Sequence, residues 1–384
     1  MTNPKLALIP SGYKSGKVYS ILPNDATGDF DFDRASEGTR VRKDGLIEEV
    51  TDDTPRLDWL NSNCPSLLLE PQRTNYATNN TSMDTYGSLG GSNPTPTLTA
   101  DYIIAPDGTL TATRLQISKT GTNYSLISFP TTSDDGSGGG YYTASVYVKS
   151  NTGSSQSIAF YGQSSSPNTR TATTEWTRIE FTGQRLGNTK YAYLGAINGT
   201  DDDVDISVWG AQIELVDSYA SSLIYTGGST VTRLKDECLN GGDSDLFDIT
   251  EGTFFVDTTP FTREATDRIT LSNNNYNNRI LISKSSSTQL QFIIVSDNVT
   301  VATYTTNISY NVRNKIAFTF KENEFKFYLN GSLVHTDTSG SVPTGLNDLS
   351  FKGIGNALHY SGKVYDTRVY DRVLTEAEAI ELTT

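Results

Sequence analysis

The segment from Glu324 to His335 constrains the fold more than any other. Phe325 to Leu329 alternates apolar with polar residues, Asn330-Gly331 comes next, and Ser332 to His335 continues the pattern. Asn-Gly suits the two positive-φ positions of a type I′ turn, whose twist matches paired strands, so a two-residue β-hairpin is predicted. Similar runs recur through the last two-thirds of the chain: Tyr141 to Lys149, Gln156 to Tyr161, Glu175 to Thr182, Tyr191 to Ile197 and Asp205 to Leu215. After residue 250 come Gly252 to Asp257, Asn278 to Lys284, Gln289 to Val295, Val299 to Thr305, Lys315 to Lys321 and Lys363 to Tyr370. Breaks rich in Gly and Ser separate them, notably Asp134 to Gly140, and no amphipathic helix stands out between residues 79 and 235. The expected helix is short: Thr375 caps it, and Glu378 three residues on completes a capping box. The fold class is therefore all-β.

Composition agrees. Hydrophobic residues make up 35% and charged residues 19% of the chain, below the usual ~45–50% and ~25%. Ser, Thr, Asn and Gly fill the difference, with 21 Tyr and 15 Phe, as suits strands with one polar face and many turns. At 384 residues the chain has room for roughly two to three domains.

Thirty Lys and Arg against 44 Asp and Glu give a net charge of −14. With no basic run, no nucleic-acid partner is expected. No apolar run is long enough to cross a bilayer, so no membrane insertion is expected. Cys64 and Cys238 have no Cys or His at a metal-ligand spacing, and two cysteines make no disulfide framework. No cofactor is expected, and a reducing cytoplasm is compatible with this cysteine usage.

Three blocks near the start occur in a telling order: Phe-Asp-Phe-Asp-Arg-Ala-Ser from Phe30, Gly-Leu-Ile-Glu-Glu-Val from Gly45, and Cys-Pro-Ser-Leu-Leu-Leu-Glu-Pro-Gln-Arg-Thr-Asn from Cys64. Together they resemble the N-terminal module of bacteriophage tail and virion-surface proteins. Val208-Trp-Gly-Ala-Gln-Ile-Glu214, with the exit Tyr219 to Ile224, resembles carbohydrate-binding-module domains of phage proteins. Gly362-Lys-Val-Tyr-Asp-Thr-Arg-Val-Tyr-Asp-Arg-Val-Leu-Thr-Glu-Ala-Glu378, with the Phe-Tyr-Leu-Asn-Gly hairpin, resembles the end of concanavalin-A-like, laminin-G-type sandwiches. The resemblances imply an attachment module at 1–78, a jelly-roll, carbohydrate-binding-module-like sandwich at 79–235, a linker from Thr230 to about 250, and a concanavalin-A-like sandwich at 250–384.

Candidate chemistry is sparse. Glucanases on this sandwich share a Glu-x-Asp-x-Glu strand that projects three carboxylates into a cleft. The nearest patterns here, Asp29-Phe-Asp-Phe-Asp33, Asp203-Val-Asp205 and Glu322-Asn-Glu324, lack that set. No catalytic residue is assigned, and the chain is not read as an enzyme. Asp201, Asp202, Asp203 and Asp205 form the densest carboxylate cluster, the kind of loop that calcium takes, yet such clusters are common in acidic chains and no metal is assigned. Asp29, Asp31 and Asp33 imitate an EF-hand start, but Arg34 and Arg40 stand where Gly and the final ligand belong. Trp176 and Trp209 sit in strands and are expected in the core, so no binding residue is named. His335 and His359 lack triad partners and are expected to pack on the surface or across strands. Cys64 reads, within its block, as a buried small residue.

The expected function is a structural virion protein, a tail fibre or tail-surface protein, that displays two sandwiches to host-surface glycans. Its partners would be other virion proteins, reached through residues 1–78, and further copies of itself, such as a trimer. Two rivals stand beside it: an architectural capsid decoration or head fibre, and a polysaccharide-degrading enzyme.

Overall fold

The computed structural model describes residues 3–130, 140–162, 168–185, 191–216, 218–247, 249–261, 267–286, 288–355 and 358–384. The Gly- and Ser-rich break at 134–140 lies outside them, except for Gly140. The protein is all-β. The alternating runs form strands close to their expected bounds: Tyr141–Ser150, Gln156–Tyr161, Asp203–Glu214, Gln289–Ser296 and Gly362–Tyr370 among them. Less alternating strands escape a pattern reading, notably Thr97–Ile103, Ala112–Ser118, Arg268–Ser272 and Asp348–Ser350.

The chain divides into two compact units. The first comprises residues 1–43, 50–71 and 234–384; the second, residues 44–49 and 72–233. Residues 1–78, expected as a separate attachment module, are distributed differently in the fold. Most of them complete the sandwich at the other end of the sequence.

In the first unit, described residues form an eight-stranded sheet. Its centre is Gly252–Pro260, flanked by Asn314–Lys321 and Gly362–Tyr370. The far side of Gly362–Tyr370 is shared by two early strands: Leu6 pairs with Val369, and Leu67 with Val364. A five-stranded sheet packs opposite, ordered Val299–Asn307, Gln289–Ser296, Arg279–Ser286, Arg268–Ser272, Asp348–Ser350. Leu6, Leu8, Phe30, Phe32, Leu67 and Leu69 join Phe254, Phe292, Phe318 and Leu349 in one core. The alternation that places Phe30 and Phe32 on one strand face thus serves the interior of the C-terminal sandwich. The hairpin at Asn330-Gly331 has φ values of 47° and 78°, as a type I′ turn requires. The helix Glu376–Thr383 carries the full Thr375/Glu378 capping box and covers Phe255, Tyr328 and Tyr370 on the outer face of the larger sheet.

The stretch expected as a linker is built into this unit. Glu237–Leu239 pairs with Phe30–Asp33, and Asp236 lies at the heart of a buried charge cluster. Arg34 Nη1 donates to Asp236 Oδ1 at 3.1 Å, and Arg56 Nη1 donates to Glu70 Oε2 at 2.7 Å. Arg56 Nη2 also donates to Asp236, and the backbone N–H of Glu70 reaches Asp236 Oδ2 at 2.8 Å. The remaining Arg34 donors go to carbonyls of Ser36, Thr51 and Thr54. Three of the four charged side chains are fully buried, and that of Glu70 is 3% exposed. Burial works against the charge on Arg56, but the pull of Asp236 and Glu70 outweighs it and raises the guanidinium above its ordinary value. Nearby, Gly241 passes so close to Phe30 that a Cβ there would sit 2.3 Å from the ring.

The second unit is a sandwich of two five-stranded sheets. One is ordered Gly87–Leu89, Ser125–Ser128, Tyr193–Ala196, Gln156–Tyr161, Thr169–Ala172; the other, Thr97–Ile103, Ala112–Ser118, Asp203–Glu214, Tyr141–Ser150, Thr177–Gln184. Asn75, the end of the third sequence block, is buried here and ties three chain segments together. Its amide donates to the carbonyls of Ala211 and Ile224 and accepts from the N–H of Ile213.

Both the charge cluster and the shared sheet can be tested. Asp236→Asn leaves two buried guanidiniums short of their counter-charge and should cost about 3–5 kcal/mol, measured as a lowered urea midpoint for the first unit. A fragment spanning 247–384 should fail to fold alone, because it lacks the strands that cover Gly362–Tyr370. Circular dichroism and amide dispersion in NMR would show an unstructured or aggregated product, whereas a sharp native spectrum would contradict the pairing described.

Candidate functional site

In the second unit, strand alternation sorts aromatic residues into two sets. Ile158 and Phe160 of Gln156–Tyr161 point into the core, as do Leu194 and Ala196 of Tyr193–Ala196. Tyr161 and Tyr193 therefore fall on the opposite face of the same sheet. They are register partners on neighbouring strands, with ring centroids 5.7 Å apart. Tyr191 extends the row, its ring 5.8 Å from that of Tyr193 and tilted only 8° from parallel. Tyr124 is 42% exposed and near enough to act on the charge of both Tyr161 and Tyr193. Its ring lies against Gly91, where a Cβ would stand 3.4 Å away and φ is +55°.

Partial burial, then the neighbouring phenols, push the hydroxyls of Tyr161 and Tyr193 above their ordinary value. Both stay protonated at neutral pH. The result is a row of flat apolar surfaces edged by hydroxyls that donate and accept, the combination that stacks on sugar rings while meeting their hydroxyls. Pattern reading missed this face because Tyr161 and Tyr193 meet only through register. The available signal was Tyr191-x-Tyr193 beside core residues of opposite parity.

The other candidates are occupied by the fold. Asp201 accepts from the N–H of Ser157 at 2.9 Å, Asp203 from Ser118 Oγ at 2.8 Å, and Asp202 pairs with Lys119. Asp205 accepts from Arg114 Nε at 2.8 Å and Asn151 Nδ2 at 2.9 Å, and the arginine holds its carboxyl below the usual range. The cluster is thus divided among protein donors. Asp31 pairs with Lys17, Asp29 accepts from Ser20, and Glu324 pairs with Lys326. Trp209 is fully buried, its Nε1 donating to Thr111 at 3.1 Å. Trp176 is half-buried and donates to the carbonyl of Ile104. His335 packs across its hairpin on Phe327, ring centroids 5.8 Å apart, as expected, and stacks on Tyr304 of the facing sheet at 4.8 Å, while His359 Nε2 lies 2.7 Å from Lys235 Nζ. Cys64 differs from expectation: it is exposed, because the chain turns outward through Asn61 (φ 59°) before the strand begins at Ser66. Cys238 is buried, and desolvation holds its thiol well above the ordinary value.

Residues 247–379 match the family model of the concanavalin A-like lectin/glucanases superfamily. The concanavalin-A-like region so matched lies within the first unit. No curated protein sequence matches the chain. Among solved structures, the chain is similar to the Ruminococcus gnavus IT-sialidase CBM40 bound to alpha2,3 sialyllactose, at 17% identity over 35% of this chain and 84% of that one, with a TM-score of 0.32. Domain 4 of AbnA, a GH43 extracellular arabinanase from Geobacillus stearothermophilus in complex with arabinotriose, is 14% identical over 44% of this chain and 83% of that one, TM-score 0.32. A native heptameric SAP-like pentraxin from Limulus polyphemus is 14% identical over 35% and 70%, TM-score 0.30.

The two sets of aromatics should behave differently on truncation. Phe160→Ala removes a fully buried ring and should cost about 3–5 kcal/mol. Tyr193→Ala, on the outer face, should cost about 1 kcal/mol or less. Thermal unfolding of the two variants checks this, and equal losses would mean that the tyrosine row is structural.

Proposed function

We propose that the chain is a structural protein of a bacteriophage virion, a tail fibre or tail-surface protein, whose sandwiches adhere to host-surface glycans. The row Tyr124, Tyr161, Tyr191, Tyr193 carries the adhesion reading: aromatic surface of this kind on the outer face of one sheet serves stacking rather than packing. The three N-terminal blocks support a virion setting through their resemblance to phage proteins. In this reading the particle holds the chain through exposed residues of the N-terminal segment, such as Tyr19, Ile21 and Leu60, since the large apolar residues of the blocks face inward. Several copies, arranged as a cyclic homo-oligomer such as a trimer, would turn weak single contacts into avidity.

The carboxylates named above are engaged by neighbouring donors, and the glucanase Glu-x-Asp-x-Glu strand is missing from the sequence. That supports binding rather than catalysis. The test is a glycan array probed with multivalently displayed protein, run beside a Tyr161→Ala/Tyr193→Ala variant. Retention on a defined glycan set, weakened at least about tenfold by the double substitution, is the expected outcome. Silence across an array built from host surface polysaccharides would favour a purely architectural role, and release of shortened glycan would make the chain an enzyme.

A further inference from the structure

A second polar site lies in the first unit, on the five-stranded sheet. Arg268–Ser272 pairs with Asp348–Ser350, placing Thr270 opposite Ser350 and Ser272 opposite Asp348. Ile269, Leu271 and Leu349 point into the core, so these four polar side chains share the outer face. All four are nonetheless buried, none more than 5% exposed. With Asn274, Lys352 and the backbone of Gly353, Ile354 and Gly355 they line a pocket of about 80 Å³.

Most of its polar atoms have partners. Ser350 Oγ donates to the Asp348 carboxylate, 3.0 and 2.9 Å from its oxygens, and accepts from the N–H of Asn240 at 3.0 Å. Ser272 Oγ accepts from the N–H of Asn274 at 3.2 Å. Among the described residues Thr270 Oγ1 has none, although Thr270 is only 2% exposed. An unmatched hydroxyl at such burial is destabilising, and Thr270 stands in the wall of a cavity.

The surrounding charge is as unusual. Lys352 is close enough to Asp348 to act on its carboxyl, but forms no ion pair among the described residues. Arg268 packs beneath Gly353, its Nη1 3.5 Å from where a Cβ would be, and Arg279 is near enough to feel its charge. Among the described residues neither arginine has a carboxylate partner, and the Nε of each is buried without an acceptor. Lys352 in the wall of the pocket, Arg268 against its Gly353 and Arg279 beside Arg268 thus gather positive charge on one side of it, with Asp348 and Asp31 on the other, in a chain of net charge −14. Unneutralised guanidinium and ammonium groups beside hydroxyls make a site for an anion that also carries hydroxyls. Tyr276, 52% exposed, closes the rim, its hydroxyl donating to the carbonyl of Ile354 at 3.1 Å.

We propose that this pocket binds a carboxylated sugar of the uronic-acid type, with the carboxylate at Lys352 and Arg268 and a ring hydroxyl at Thr270 Oγ1. The interior is of the order of two or three water volumes, enough for the acid group and one ring edge, so the sugar enters as a terminal residue. The site is independent of the tyrosine row and stands even if that row binds nothing.

Titration calorimetry of the full chain against methyl glucuronide, methyl glucoside, acetate and sulfate tests the assignment. Saturable binding of methyl glucuronide, at least about tenfold tighter than any other probe, is expected. Lys352→Gln should reduce it about tenfold or more. Thr270→Val should weaken it severalfold without lowering the unfolding temperature, because the hydroxyl it removes has no partner among the described residues. Equal binding of methyl glucoside would show that the acid group is irrelevant, and equal binding of acetate or sulfate would reduce the pocket to a bare anion site. Either result overturns the proposal, as would full affinity in Lys352→Gln, destabilised Thr270→Val, or no binding of methyl glucuronide.

Discussion

The first unit depends on a cluster of charges in its interior. Arg34 and Arg56 reach Asp236 from different directions, and Arg56 also holds Glu70. Burying four charged groups carries a desolvation penalty that pairing alone rarely offsets, so such a cluster is a weak source of net stability. Its effect is on which arrangement can form. Arg56 and Glu70 can pair alone, but Arg34 has no carboxylate until Asp236 arrives, and an arrangement in which Asp236 stays away leaves a guanidinium charge unbalanced in apolar surroundings. The cluster thus specifies which distant segments meet, while Phe30, Phe32, Leu67 and Leu69 supply the apolar area that rewards the meeting.

The first and third N-terminal blocks accordingly supply interior contacts. Phe30, Phe32 and Arg34 come from the first block, and the third supplies Leu67, Leu69, Glu70 and Asn75. Each is buried, and each is held by residues far along the chain. A resemblance carried by these positions therefore reports a shared way of closing a fold.

Legibility tracked sequence distance. The Asn330-Gly331 hairpin and the Thr375 cap were readable because backbone φ and a three-residue hydrogen bond decide them locally. Strands with clean alternation, such as Gln156–Tyr161, were equally plain. Thr97–Ile103 was not, since most of it is exposed and offers no apolar face to count. The link from Arg34 to Asp236 spans 202 positions, and nothing in either neighbourhood marks the pair. The tyrosine row and the Thr270 pocket share that difficulty: both arise from register between strands, which a linear pattern does not contain. Cys64 was misplaced because resemblance to its block implied a buried small residue, whereas the buried strand begins only at Ser66.

The pairing of Leu6–Leu8 with Gly362–Tyr370 orders events during synthesis. The second unit, continuous from residue 72 to 233 apart from six earlier residues, can close while the ribosome is still translating residues 234–384. The first unit cannot, because Leu6–Leu8 and Ser66–Leu69 lack the strand between them, Gly362–Tyr370, until residue 370 emerges. At roughly 5–20 residues per second, Leu6, Leu8, Phe30 and Phe32 stay uncovered for tens of seconds of translation. The acidic balance of the chain then has a second use, as electrostatic repulsion between nascent copies whose apolar edges are waiting for a partner.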